Sequence, residues 1–285
     1  MNDAAPAQAL RVALLASDDA HHRYLAACLD ARFALAALVV EPADAQLRRL
    51  RQRGKWRDWG YALYHRYRRR VFGLTAYRRQ YFALPDGSPE WPRTPDIVAD
   101  WINEPAVESL LRRTAPDVTI VICTSILSRR TLAAAGTTIN IHGGFLPWYR
   151  GNHCFFFALL DRRFEHIGST IHFVDAGVDT GDIIAQAVPR LLPDDTAETL
   201  YCRAEGEAIS LLVDLLGALA AGHPLPRRPQ PPGGRQYYTR DRKPHHDLRM
   251  WARRLRGRMG FPAESRPERN GTPSKIYAKL RSTDA

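Results

Sequence analysis

Cysteine is sparse and scattered. Cys28, Cys123, Cys154 and Cys202 form no C-x-x-C pair and stand at no Cys/His spacing that suits zinc. That argues against a disulfide framework, points to no metal, and predicts a reducing, cytoplasmic setting. Long apolar runs are missing too. Nothing approaches the ~20 residues of a membrane span, and MNDAAPAQAL has neither the basic flank nor the apolar stretch of a secretory leader. The reading is a soluble protein with no membrane partner. The first apolar run leads into SDDAHH where a dinucleotide fold would carry G-x-G-x-x-G, which disfavours a dinucleotide site. No internal repeat is visible.

Acidic residues are also in deficit: 30 Asp and Glu against 41 Lys and Arg leave a formal charge of +11. The surface field therefore favours anionic partners such as phosphates, polyglutamyl tails or nucleic acid, without choosing among them. Much of the excess lies in Arg48 to Arg57, Arg66 to Arg70 and Arg253 to Arg258, and such runs are read first as solvated faces. With 45% apolar and 25% charged residues in 285, the composition is that of an ordinary globular chain with a core to bury.

The pattern opens as strand, helix, strand: Leu10 to Ala16, a helical stretch through Ala26 and Leu29, and Phe33 to Val40. This predicts a parallel sheet with right-handed crossovers. Tyr64, Tyr67 and Val71 recur at helical spacing, so a helix should pack its aromatic face on the sheet, a platform for a base or a nucleic acid being the alternative use. A helix over Glu104 to Arg113 precedes a buried strand, Val118 to Cys123. Thr137 to Ile141 is a further strand at whose end Asn140 and His142 stand, the place where open α/β sheets bind ligands. Helix Asn152 to Leu160 and strands Thr170 to Val174 and Ile183 to Leu191 follow. Asp195, with Glu198 three on, predicts the cap of a long helix closing near Gly222. HPLPRRPQPPGG then breaks regular structure ahead of a basic helical tail. The expected division is 1–222 as a catalytic domain and 223–285 as linker and appendage. The apolar and aromatic surplus near the C-terminal helices leaves room for a homodimer.

Two segments, NIHGGFLPWYRG at Asn140 to Gly151 and GSTIHFVDAGVDTGDII at Gly168 to Ile184, resemble the signature of the folate-dependent formyltransferases, more loosely from about residue 95 to residue 220. The family includes the methionyl-tRNA, phosphoribosylglycinamide and sugar N-formyltransferases. The resemblance implies a Rossmann-like α/β fold with a mostly parallel sheet and a short C-terminal appendage. It implies 10-formyltetrahydrofolate as formyl donor, with no metal, and Asn140, His142 and Asp179 as catalytic residues. By the same matching, Ile126 and Leu127 of TSILS, and Val174, Asp175, Gly177 and Val178 of the second block, would border the pterin.

The chemistry has its own logic. Formyl transfer to an amine passes through an oxyanion, which needs donors aimed at it. Asn and His two apart on a strand share a face, and a carboxylate can orient the imidazole and relay a proton. Arg150 and His153 are candidate substrate contacts, with ion pairing and capping as their simpler roles. Tyr237, Tyr238 and Arg240 are candidates for holding a base and diphosphate.

The acceptor is expected to be a small-molecule amine, phosphate-bearing, on three grounds. Two carboxylates, Asp18 and Asp19, stand where a glycinamide-ribotide enzyme would carry its phosphate loop. Too few residues follow the linker for the barrel of the tRNA enzymes. The length suits the sugar N-formyltransferases. Nucleic acid, docked on the basic tail, is the alternative, and a non-catalytic folate or nucleotide sensor is a third.

Overall fold

The computed structural model describes residues 10–84, 90–257, 259 and 261. Residues 1–9, 85–89, 258, 260 and 262–285 lie outside the described residues.

The opening crossover forms as the apolar runs require: β1 (Arg11–Ala16), α1 (Ala20–Arg32) and β2 (Ala34–Val40). Asp19 starts α1, its carboxylate accepting the Ala20 N–H at 2.8 Å. The Arg-rich insert folds as α2 (Ala43–Gln52), α3 (Trp56–Val71) and α4 (Leu74–Tyr81). After β3 (Ile97–Val98) come α5 (Pro105–Thr114), β4 (Val118–Ile122), α6 (Arg129–Ala135) and β5 (Thr137–His142). The chain continues through β6 (Tyr149–Gly151), α7 (Cys154–Leu160), β7 (Ser169–Phe173), β8 (Ile183–Ala187), α8 (Ala197–Ala220), β9 (Arg235–Tyr237) and α9 (Pro244–Leu255).

Among the described residues, seven strands form one sheet in the order β3-β2-β1-β4-β5-β7-β8. β3 through β5 pair in parallel, and β7 and β8 close one edge antiparallel. This is a Rossmann-like α/β fold. Period-two alternation divides the central strands between two cores. Val12, Leu14 and Ala16 pack beneath α1 and α8 with Leu25, Leu29, Ile209 and Leu212, while Ala13 and Leu15 pack with Val39, Val107 and Leu111 on the α5 side. A two-stranded parallel ribbon, β6 with β9, brings the segment beyond the Pro-rich stretch back against the loop after β5.

Four expectations shift. Tyr67 and Val71 do not face the sheet: they are 71% and 57% exposed, because α3 turns its buried His65 inward and packs on α2, α4 and residues 239–241. The α8 cap is Thr196, whose hydroxyl accepts the Thr199 N–H. Asp195 instead accepts from the Leu192 N–H, the Thr199 hydroxyl and the Arg203 guanidinium. β8 stops at Ala187, two residues before Pro189, which cannot donate to a ladder. α7 begins at Cys154, because His153 adopts a left-handed conformation (φ +60°).

One ionic knot joins the insert to the core. Arg78, buried, donates to Asp19 Oδ2 at 2.7 Å and to Glu198 Oε1 at 2.8 Å, clamping α4 against α1 and α8. Burial pushes the Asp19 carboxyl up, but Arg78, with His21 and Arg69, more than offsets it and holds the group well below the usual carboxylate range. Replacing Arg78 with Met leaves Glu198 without its cation and Asp19 with Arg69 alone, and should cost about 3 kcal/mol by urea denaturation at neutral pH. A depressed carboxyl stabilises the fold above its unfolded pKa of ~3.9 and loses that contribution as the pH falls. The gap between wild type and Arg78→Met should therefore narrow below about pH 4.

Candidate active site

The pairing of β5 with β7 assembles the polar centre. Asn140 lies opposite His172, and His142 opposite Thr170, in antiparallel register. Asn140 Nδ2 is 3.0 Å from His172 Nε2. His172 Nδ1 is 2.8 Å from its own strand's Phe173 carbonyl, which fixes the proton on Nδ1 and leaves Nε2 to accept from the Asn140 amide. Asp179 folds over this pair from the loop after β7, its two oxygens 3.5 Å from His142 Nδ1 and 3.6 Å from His172 Nε2. Both imidazoles are buried.

His142 is held at its other nitrogen as well. Nε2 lies 3.0 Å from the Tyr149 carbonyl, so the neutral ring carries its proton there and turns a bare Nδ1 toward the carboxylate. Burial pushes the His142 pKa below its ordinary value, and the neighbouring Asp179 charge only partly restores it. Nδ1 and Asp179 Oδ2 are thus two acceptors facing one another. A proton delivered between them would be stabilised by both, which is the property asked of a general base. The Cys154 thiol, 3.7 Å from His142 Nε2 and 3.5 Å from the Gly151 carbonyl, is driven well above its usual pKa by burial and stays a protonated donor.

Asp179 is held by main chain. Its Oδ2 accepts the Gly151 N–H at 2.9 Å, and its own carbonyl accepts from Gln230 Nε2 at 3.0 Å. It sits at φ +54°, unusual for a residue with a side chain. Burial would raise its carboxyl, but attraction to the charge His142 carries once protonated, the contact with His172 and the Gly151 N–H it accepts outweigh that and hold it well below the usual range. Gly151 must be glycine: φ is +80°, and a Cβ would fall 2.2 Å from the Tyr237 carbonyl.

The other expected contacts are distributed differently. Val174 and Asp175 line a cavity of about 300 Å³ with Thr137, Phe173, Thr180, Gly181 and Arg227. The Asp175 carboxylate orders its own loop, accepting from the Gly177 N–H at 2.9 Å and the Thr180 hydroxyl at 2.6 Å, and Val178 is half-buried. Ile126 and Leu127 lie outside that lining, on the loop after β4, with Ile126 70% exposed and Leu127 packed on the α5-side core. Arg150, in β6, is half-buried. His153 turns inward, its ring 4.3 Å from that of His65. Tyr237 packs as core, 4% exposed and stacked on Phe157 at 4.0 Å. Tyr238 is exposed beneath the Arg240 guanidinium, which pairs with Asp58 of α3 at 2.9 Å.

Sequence reading missed His172. The signal was present: an imidazole two residues beyond Thr170 in an apolar strand of the second block. A lone histidine there reads as packing until the strand is paired with β5.

Residues 95–216 match the family model described as formyl transferase. A methionyl-tRNA formyltransferase of Burkholderia ambifaria is 36% identical over 135 residues, 45% of this chain and 39% of its own. That of Anaeromyxobacter sp. is 35% identical over 144 residues, 48% of this chain and 46% of its own. The match thus spans less than half the length of these curated relatives. An uncharacterised Mycobacterium tuberculosis protein described as a candidate sugar N-formyltransferase shares the fold at 20% identity, with a TM-score of 0.53 over 82% of this chain and 77% of its own.

The geometry fixes a titration. His142 should take up its second proton below pH 6.5, followed by ¹⁵N–¹H correlation of the imidazole. Asp179→Asn should lower that midpoint further, because the carboxylate is what favours the imidazolium. A midpoint unmoved by the substitution would show that the two groups do not interact.

Proposed function

We propose, on the premise that the chain belongs to the formyltransferase family through residues 95–216, that it moves a formyl group from 10-formyltetrahydrofolate to a primary amine, with Asn140, His142 and Asp179 catalytic. The observation that carries this is the convergence of the three residues, with His172, from two distant segments.

In this reading, Asn140 spends one amide hydrogen on His172 and has a second to donate to the oxyanion that forms as the amine nitrogen attacks the formyl carbon. His142 Nδ1, bare and backed by ionised Asp179, takes the proton the amine loses. That proton then serves the departing nitrogen of the donor as the carbonyl re-forms and the C–N bond breaks. His172 acts at one remove, aiming the Asn140 amide.

Two features fit the donor. The 174–182 loop offers main-chain groups beside a cavity of about 300 Å³. At the other end of the β4–β5 pair, on the loop after β4 and on the side where His142 stands, Ile126 presents an exposed aliphatic side chain suited to a flat ring.

The acceptor we favour is the amino group of a nucleotide-linked sugar. At the carboxyl end of β1, where a phosphate loop would serve a glycinamide-ribotide enzyme, Asp19 is already engaged by Arg69 and Arg78. Formylation of an aminoacyl-tRNA is the second reading, favoured by the activity of the curated relatives.

A panel of nucleotide-linked amino sugars and aminoacylated initiator tRNA, each offered with 10-formyltetrahydrofolate, separates the two by release of tetrahydrofolate. Whatever the acceptor, His142→Asn and Asp179→Asn should each lower kcat by at least ~100-fold. A loss smaller than tenfold in both would place the catalytic centre elsewhere.

A further inference from the structure

A second concave site lies on the far side of the β6–β9 ribbon. A cavity of about 400 Å³ opens between the end of α7, β9 and α9, and its lining includes Arg162, Arg235, Arg249, Arg253 and His246. Three of these come from α9 at His246, Arg249 and Arg253, a spacing of three and four that puts them on one helical face. Phe157 and Tyr237, stacked at 4.0 Å, form its apolar wall.

Two carboxylates, Asp161 and Asp241, share the lining with four guanidinium groups, and both make hydrogen bonds inside the protein. Asp161 Oδ2 accepts from the hydroxyls of Tyr149 at 3.2 Å and Tyr237 at 3.3 Å, and Asp241 Oδ2 accepts the Tyr238 N–H at 2.8 Å. Arg253 donates to the Leu160 carbonyl at 2.7 Å, closing the exposed end of α7. Among the described residues, Arg235, Arg249 and Arg253 make no ion pair with a carboxylate. Like charges crowd here: burial, then Arg249 and Arg162, pushes the Arg253 pKa below its ordinary value against a smaller opposing effect of Asp161.

We propose that this cavity is a binding site for a small molecule bearing a diphosphate. Several guanidinium groups converge on a space larger than one phosphate needs, and guanidinium is the group that pairs phosphate oxygens two at a time. The cavity has room for a ligand of nucleotide size, whereas an extended nucleic acid would follow a long groove. The site is one ribbon from the catalytic cluster: Gly151, whose N–H holds Asp179, pairs with Tyr237. It stands on these residues alone, whichever acceptor the enzyme uses.

Calorimetric titration of the full chain with inorganic pyrophosphate and with UDP, at low salt and without formyl donor, tests it. Both should bind, and Arg235→Ala with Arg249→Ala should weaken each by at least ~10-fold. Arg66→Ala, an exposed arginine of α3 paired with Asp44, should change nothing, which separates the site from general loss of charge. Circular dichroism melts confirm that the variants fold. Absence of binding by wild type at millimolar ligand, or equal binding by the double variant, overturns the proposal. An RNA hairpin that displaces UDP, with affinity falling steeply as salt rises, also overturns it in favour of nucleic acid.

Discussion

The register of β5 against β7 is the constraint on which the site depends. Asn140 stands opposite His172, and two residues on His142 stands opposite Thr170. Side chains alternate between faces with a period of two, so a slip of one residue would send the histidines to the opposite side of the sheet. The register is held where it can be enforced most cheaply, by apolar neighbours on both strands: Ile139, Ile141 and Ile171 are buried in the same core. Packing energy from apolar side chains thereby positions the polar cluster of Asn140, His142 and His172.

Over this rigid floor sits a loop under local tension. Asp179 occupies a left-handed conformation, and the forces that keep it there are hydrogen bonds from Gly151 and Gln230 rather than burial of apolar surface. A strained residue held by its surroundings is a common arrangement where a group must be fixed before its substrate arrives. Burial drives the histidine toward its neutral form against the pull of the carboxylate, and the carboxylate stays ionised against the push of its own burial. Opposed displacements of this kind in a buried cluster occur at acid–base sites and in structural ion-pair networks alike.

Much of this was legible beforehand. The strands read as apolar runs because parallel strands covered on both faces need no alternation. Asn140, His142 and Asp179 were visible because two segments carried them in a pattern seen in a known family. Three kinds of feature were not legible. His172 depends on cross-strand pairing, which no local pattern encodes. The orientation of α3 was misread because Tyr67 and Val71 have the right spacing for a buried face, whereas the helix rests on other helices and buries His65. The packing of Tyr237 was also not legible: an aromatic beside arginines gives no sign that its ring stacks into a cluster with Tyr149 and Phe157. Tertiary context decided each of these.

The β6–β9 ribbon joins positions more than eighty residues apart in sequence, and its outer strand lies beyond the proline-rich stretch. A protease that cut that stretch would leave two pieces still fastened together, by the ladder, by the Asn152 N–H donating to the Tyr237 carbonyl at 2.8 Å, and by the stacked rings. Removing everything downstream of the cut would instead strip the backing from the strand whose amide secures Asp179. Residues 235–257, easily dismissed as an ornament, are tied to the strand that secures Asp179.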